Sequence, residues 1–222
     1  MSLRGVNSAF VKIKKSKLRE VKKVFYLACE GKKTEIYYFK MIENKKQELK
    51  ISNNIKIEPY FQEHNNPVAL LEYLKNKKKN NDLDDDEFFL VIDRDSKNFT
   101  EEQFEKVITE CPNEKIGVAL TNPCFELWLL LHFKKIKKKD AHTLSNGDCG
   151  EILKEELVKE LQKLNPKIKT YSKDGIKALF PYFQGNIKNA IENARLLENN
   201  NEKLKENVGT SAGLLMEKII NI

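Results

Sequence analysis

The sequence has no apolar run approaching the roughly eighteen consecutive residues that a membrane-spanning helix requires, so no membrane association is expected. Met1–Lys17 carries scattered lysine and arginine but no apolar stretch followed by a small-residue cleavage site, which argues against a secretory signal. The four cysteines, Cys29, Cys111, Cys124 and Cys149, form no Cys-x-x-Cys pair, and neither His64 nor His142 stands at ligand spacing from them. A zinc site or disulfide framework is therefore not expected; buried thiols in a reducing compartment are, and the cytoplasm is the natural inference. No G-x-x-x-x-G-K-[ST] sequence occurs, so intrinsic ATPase activity is not expected. Neither a repeat of solenoid length nor a serine or cysteine in a nucleophile motif is present.

What is present is charge. The 222 residues are 33% charged and 40% hydrophobic, enough to bury a core beneath a strongly charged surface. Forty Lys and Arg against thirty-three Asp and Glu give a net charge of +7. Such an excess suits a polyanionic partner such as DNA or RNA, although Lys- and Asn-rich composition alone produces it about as often.

Apolar runs and helical periods alternate through the first 133 residues. Val24–Cys29, Ile55–Phe61, Phe88–Asp93 and Ile116–Leu120 read as strands. Helices are expected from Thr34, a plausible N-cap, to about Leu49, from Pro67, over Thr100–Glu110, and over Cys124–Phe133 behind Pro123. An acidic linker, Asp82–Glu87, precedes the third strand. This succession predicts an α/β fold, a mainly parallel sheet of Rossmann-like type with helices on both faces, spanning residues 20–133. Residues 134–222 are expected to form a helical C-terminal region packed on that core, with helices over Glu151–Leu164, Asp174–Phe183, Gln184–Asn199 and Thr210–Ile220.

Functional groups of such sheets gather beyond the carboxyl ends of strands. Glu30 ends the first strand beside Gly31, and Asp93 and Asp95 end the third. Three carboxylates brought close resist ionising together unless a cation sits between them. Mg²⁺ (or Mn²⁺) accepts a few carboxylates, several waters and substrate phosphate oxygens. Asp93 and Asp95, two residues apart in extended chain, project the same way and suit a shared ion.

The segments FYLACEGKKTEIYYF, FFLVIDRDS, GVALTNPCFELWLLLHF and the late NVGTSAGLLMEKI resemble the RloB family, over about residues 22–220. That family is regarded as Toprim-like. The resemblance implies a metal-dependent nuclease with Glu30, Asp93 and Asp95 as metal ligands, a setting in prokaryotic defence, and a separately encoded ATPase as partner.

Other residues carry two readings each. Glu35 either reaches the metal or serves the N-terminus of its helix. Glu126 either joins the metal site or completes a capping box with Asn122. Lys32 and Lys33 either contact phosphate or lie in a solvated loop. Trp128 is expected in the core or on a partner-facing surface rather than as a base-stacking platform, His132 at the surface or a helix end with a catalytic role as its alternative, and Lys134–Lys139 along a nucleic-acid backbone or in solvent. Arg94 lies between the two aspartates without an assigned role. FFLVIDRDS also resembles the first motif of haloacid-dehalogenase-type phosphatases, whose first Asp is a nucleophile, but that motif belongs on a first strand and here falls on the third. A non-catalytic subunit docking on an ATPase is a further alternative.

Overall fold

The computed structural model describes residues 23–63, 66–80, 85–94, 99–145 and 148–220, with the side chains of 145 and 149 left aside. Met1–Lys17, His64, Asp95, the side chain of Cys149 and part of the acidic linker lie outside the described residues. The four apolar runs are strands, β1 (Lys23–Cys29), β2 (Ile55–Tyr60), β3 (Glu87–Asp93) and β4 (Gly117–Asn122). Between them lie α1 (Thr34–Asn44), α2 (Pro67–Lys79) and α3 (Glu101–Asn113). Asn66 caps α2 ahead of its N-terminal proline, and Thr100 and Gln103 form a reciprocal capping box on α3.

With a short fifth strand, β5 (Gly209–Thr210), the strands lie in the order β2-β1-β3-β4-β5, and β1–β2, β1–β3 and β3–β4 are parallel. The chain thus leaves β1 towards one edge, crosses back, and enters the sheet again on the other side of β1. Connections after β1 and β3 leave to opposite faces, which opens a crevice between the carboxyl ends of these two neighbours.

Alternation along the strands sorts the core into two layers. Phe25, Leu27, Cys29, Phe89, Val91 and Ala119 face α1 and the C-terminal helices. Ala28, Phe88, Leu90, Ile92 and Leu120 face α2 and α3, where Leu70, Leu71, Leu74, Phe104 and Val107 are buried. Helices cover both faces, as the apolar strands demanded.

The remaining chain forms α4 (Glu126–Leu130), α5 (Lys138–Ala141), α6 (Cys149–Leu164), α7 (Ile176–Gln184), α8 (Ile187–Ala194), the short β5 (Gly209–Thr210) and α9 (Ala212–Ile220). Most of its buried side chains share the layer of α1, with Trp128, Phe125, Phe180 and Phe183 buried together with Tyr38 of α1, while Leu204 lies in the other layer. Each side chain of this kind stabilises the fold by about 1.5–3 kcal/mol. Trp128 is a core residue, as expected. Among the described residues no helix is long and apolar enough to cross a membrane.

Several boundaries differ from expectation. Thr34 is not an N-cap: Lys33 holds that position without a side-chain cap, and Thr34 is the first helical residue. The same helix stops at Asn44, five residues early, and turns lead to Lys50, whose φ is 59°. Helix α4 is half the expected length. The Leu127 N–H bonds to the Cys124 carbonyl, and the His132 and Phe133 N–H groups bond three residues back, so both ends tighten into 3₁₀-type turns. Its neighbour α8 is shortened to Ile187–Ala194.

His132 is not at the surface. It is 1% exposed, with Nδ1 3.0 Å from the Trp128 carbonyl and Nε2 3.1 Å from the Tyr38 hydroxyl. The carbonyl only accepts, so Nδ1 carries the proton and Nε2 accepts from Tyr38. Burial lowers the imidazole pKa to about 4.

The tail read as helix from Thr210 begins instead as β5, antiparallel to β4 and pairing Thr121 with Thr210 and Asn122 with Gly209. The two threonine hydroxyls are 2.8 Å apart, and the Ser211 hydroxyl accepts the Leu120 N–H at 2.9 Å. A side chain at Gly209 would place Cβ 2.0 Å from the Glu198 carbonyl oxygen, so only glycine admits this crossing.

Candidate active site

Register sets the site's foundation. Cys29 pairs with Val91, and Asp93 pairs with Thr121, so β1, β3 and β4 end nearly level. Asp93 follows Phe89 and Val91 by twos and therefore faces the α1 layer. Glu30 continues the ladder through its N–H to the Val91 carbonyl at 3.0 Å, and its Oε2 accepts the Asp93 N–H at 3.2 Å.

Glu35 enters from the first turn of α1 and is 4% exposed. Its carboxylate folds back over Gly31: a Cβ there would meet Glu35 Oε2 at 1.9 Å. The glycine after Glu30 thus makes room for a second acid. The backbone amide of Glu35 itself, at a helix start without a side-chain cap, favours the ionised form. Glu126 enters from the opposite side, as the first residue of α4, and is 3% exposed. Asn122, the expected cap, instead ends β4 and donates its amide to the Leu204 carbonyl at 2.8 Å, so no capping box forms with Glu126.

These acids feel one another. Burial raises the Glu35 pKa to about 7, helped by Glu126 and Glu30 and opposed by its own amide and Lys173. Burial followed by Glu35, Glu126 and Glu30 pushes Asp93 well above the usual carboxylate range, again with Lys173 opposing. Burial, Asp93 and Glu126 likewise push the Cys124 thiol up, which keeps it protonated.

Hard oxygen donors from four places in the chain are the donor chemistry that Mg²⁺ or Mn²⁺ takes, and a dication would relieve their repulsion. Among the described residues, no group of three or more His, Cys, Asp or Glu is arranged to hold a metal ion as it stands. The donor set fits the ion in kind; Glu30 is engaged with the Asp93 amide, and Asp95 lies outside the described residues.

The lysines separate. Lys32 is exposed, 3.8 Å from Glu63 and over the Phe61 ring at 5.9 Å. Lys33 pairs with Asp174 at 2.5 Å. Arg94 turns to the other face, its guanidinium over Phe104 at 5.2 Å. Lys134 pairs with Glu156 and Lys138 with Glu198, while Lys135 and Lys137 line a cleft of about 300 Å³ beside α4.

Three neighbours of the acids are not marked as site residues by the sequence. The Tyr171 hydroxyl lies 3.4 Å from both Glu126 Oε1 and Thr34 Oγ1, and burial and the nearby Glu126 push its phenol pKa up. Lys173 follows it. Tyr171 and Lys173 lie in a lysine-rich stretch that resembles solvated loop, and Thr34, within FYLACEGKKTEIYYF, reads only as a helix cap.

The family model described as RloB-like protein matches residues 25–219, nearly the whole chain. The chain belongs to the RloB-like family. The match spans the RloB-like chain from β1 through the residues after α6, so Glu30, Glu35, Asp93 and Glu126 all fall within it. Comparison with curated proteins and with solved structures gave no match.

Proposed function

We propose that the chain is a Mg²⁺-dependent nuclease of the Toprim type that hydrolyses phosphodiester bonds in DNA or RNA, working in prokaryotic defence with a separately encoded ATPase. One observation carries this reading: Glu30 after β1, Glu35 on α1, Asp93 on β3 and Glu126 on α4 come to one strand-end crevice, where Glu30 and Glu126 act on both Glu35 and Asp93. Like charges are not gathered in a fold without something to offset them.

Glu30, Asp93 and Asp95 would hold the ion, with Mn²⁺ able to replace Mg²⁺, and Glu35 and Glu126 would bind it or its waters. Bound there, the ion supplies Lewis acidity and a more acidic water. Lys32, exposed two residues after Glu30, would meet a substrate phosphate. Lys33 reaches one only by leaving Asp174. The net charge of +7 favours approach of a polyanion.

A phosphatase with Asp93 as nucleophile fits less well. The phosphatase motif belongs on a first strand, whereas Asp93 ends the third strand of this sheet.

Calorimetry with Mg²⁺ and Mn²⁺ on the wild type and Asp93→Ala tests the proposal, followed by cleavage assays on DNA and RNA with and without the ATPase. Binding and metal-dependent cleavage that vanish in Asp93→Ala are expected. Full activity of that variant would overturn the assignment. A wild type that binds no cation even with nucleic acid present would leave the non-catalytic docking subunit.

A further inference from the structure

The segment joining α6 to α7, residues 165–175, belongs to no motif, yet it reaches the carboxylates. We propose that Tyr171 is a positioning residue of the site, holding Glu126 of α4 and the start of α1 in the arrangement that receives the cation. The inference rests on the metal reading above and goes beyond it by assigning a role to a residue of the C-terminal region.

The geometry is that of a bridge. A phenol has a single proton, and Glu126 can only accept, so Tyr171 donates to Glu126 Oε1 and takes the Thr34 hydroxyl as its own donor, each at 3.4 Å. One side chain thereby links the first residue of α1 to the first residue of α4. Neither helix has a side-chain cap to fix its start.

The bridge is itself anchored at both ends. Asn165 closes a turn through the Ile168 N–H at 3.0 Å and donates its amide to the Tyr182 hydroxyl at 2.9 Å. Beyond Tyr171, Ser172 caps the Gly175 N–H at 3.1 Å, and Asp174 pairs with Lys33 beside α1. Ile168 and Tyr171 pack against the buried core. The same anchoring carries Lys173 to where its charge acts on Glu35 and Asp93.

Tyr171 touches Glu126, so any effect on the cation must pass through that carboxylate. Partners of metal-binding groups that fix ligand orientation typically change metal affinity 10–100-fold when removed. Phenylalanine fills the same space and lacks only the hydroxyl.

Mn²⁺ binding should be measured by calorimetry on the wild type, Tyr171→Phe, Glu126→Gln and the double variant, with thermal unfolding to establish that each is folded. Tyr171→Phe is expected to weaken Mn²⁺ about 10-fold or more in the wild-type background and to change nothing further once Glu126 is Gln. Wild-type affinity in Tyr171→Phe, or an equal loss in both backgrounds, would overturn the positioning role while leaving the metal reading intact. A wild type that binds no Mn²⁺, with or without nucleic acid, would overturn the metal reading and this role together.

Discussion

Oε2 of Glu30 accepts the backbone N–H of Asp93 at 3.2 Å, so a side chain ties β1 to β3 where their ladder ends. Charge and hydrogen bond can be separated here. Glu30→Gln keeps an acceptor oxygen and should hold urea stability within about 0.5 kcal/mol, while weakening Mn²⁺ binding. Glu30→Ala also strands the Asp93 N–H and should cost about 1–3 kcal/mol. Equal stability of the two variants would show that the tie contributes nothing.

Gly31 and Glu35 occupy space that a methyl group cannot share, since a Cβ on Gly31 would stand 1.9–2.3 Å from the Glu35 carboxylate. Gly31→Ala should therefore turn that carboxylate, the far end of a flexible side chain, away from the site, with little change in urea stability but weaker Mn²⁺ binding. In a Glu35→Ala background the obstacle is gone, and Gly31→Ala should change binding no further. Mn²⁺ calorimetry on the four proteins reads the coupling directly.

The buried His132 makes stability depend on acid. Its folded-state pKa is about 4 against an ordinary 6.5, so the unfolded chain binds its proton first. The sign follows: stability is whole above pH 6.5 and is lost as pH falls towards 4, by up to about 3 kcal/mol. Glu35 and Asp93 act in the opposite sense, so the comparison of wild type with His132→Gln isolates the histidine. The difference in unfolding free energy between the two should shrink below pH 6.5. An NMR titration of His132 with a midpoint near 6.5 would contradict this account.

Four strands and the two-faced cover were legible because continuous apolar runs have few other places to lie. Glu30 and Asp93 were legible for the same reason, each being the first acid after such a run. Beta-strand β5 was not: Gly209 and Thr210 are too short for any alternation, and only the crossing at Glu198 and the Thr121 hydroxyl reveal them. His132 was misplaced because the usual exposure of a polar ring was weighed above its spacing, four residues after the buried Trp128 and on the same helical face. Tyr171 escaped because its partners, Thr34 and Glu126, are 137 and 45 residues away. Sequence spacing carries no trace of such a contact.

The acid cluster also predicts how a cation and protons compete. With the Glu35 pKa raised from 4.5 to about 7, its contribution to stability is complete below 4.5 and is lost as pH rises through 7; Asp93 is shifted in the same direction. The metal-free protein therefore bears its greatest repulsion at alkaline pH, where the carboxylates are also most available as ligands. Saturating Mn²⁺ or Mg²⁺ should raise Tm more at pH 8 than at pH 6. Replacing Glu35 with Gln removes one of the competing protons, and should both stabilise the metal-free protein at pH 8 and flatten the pH dependence of the cation's effect. A cation-induced rise in Tm that is the same at pH 6 and pH 8, or that survives Asp93→Ala, would place the ion somewhere other than between these carboxylates.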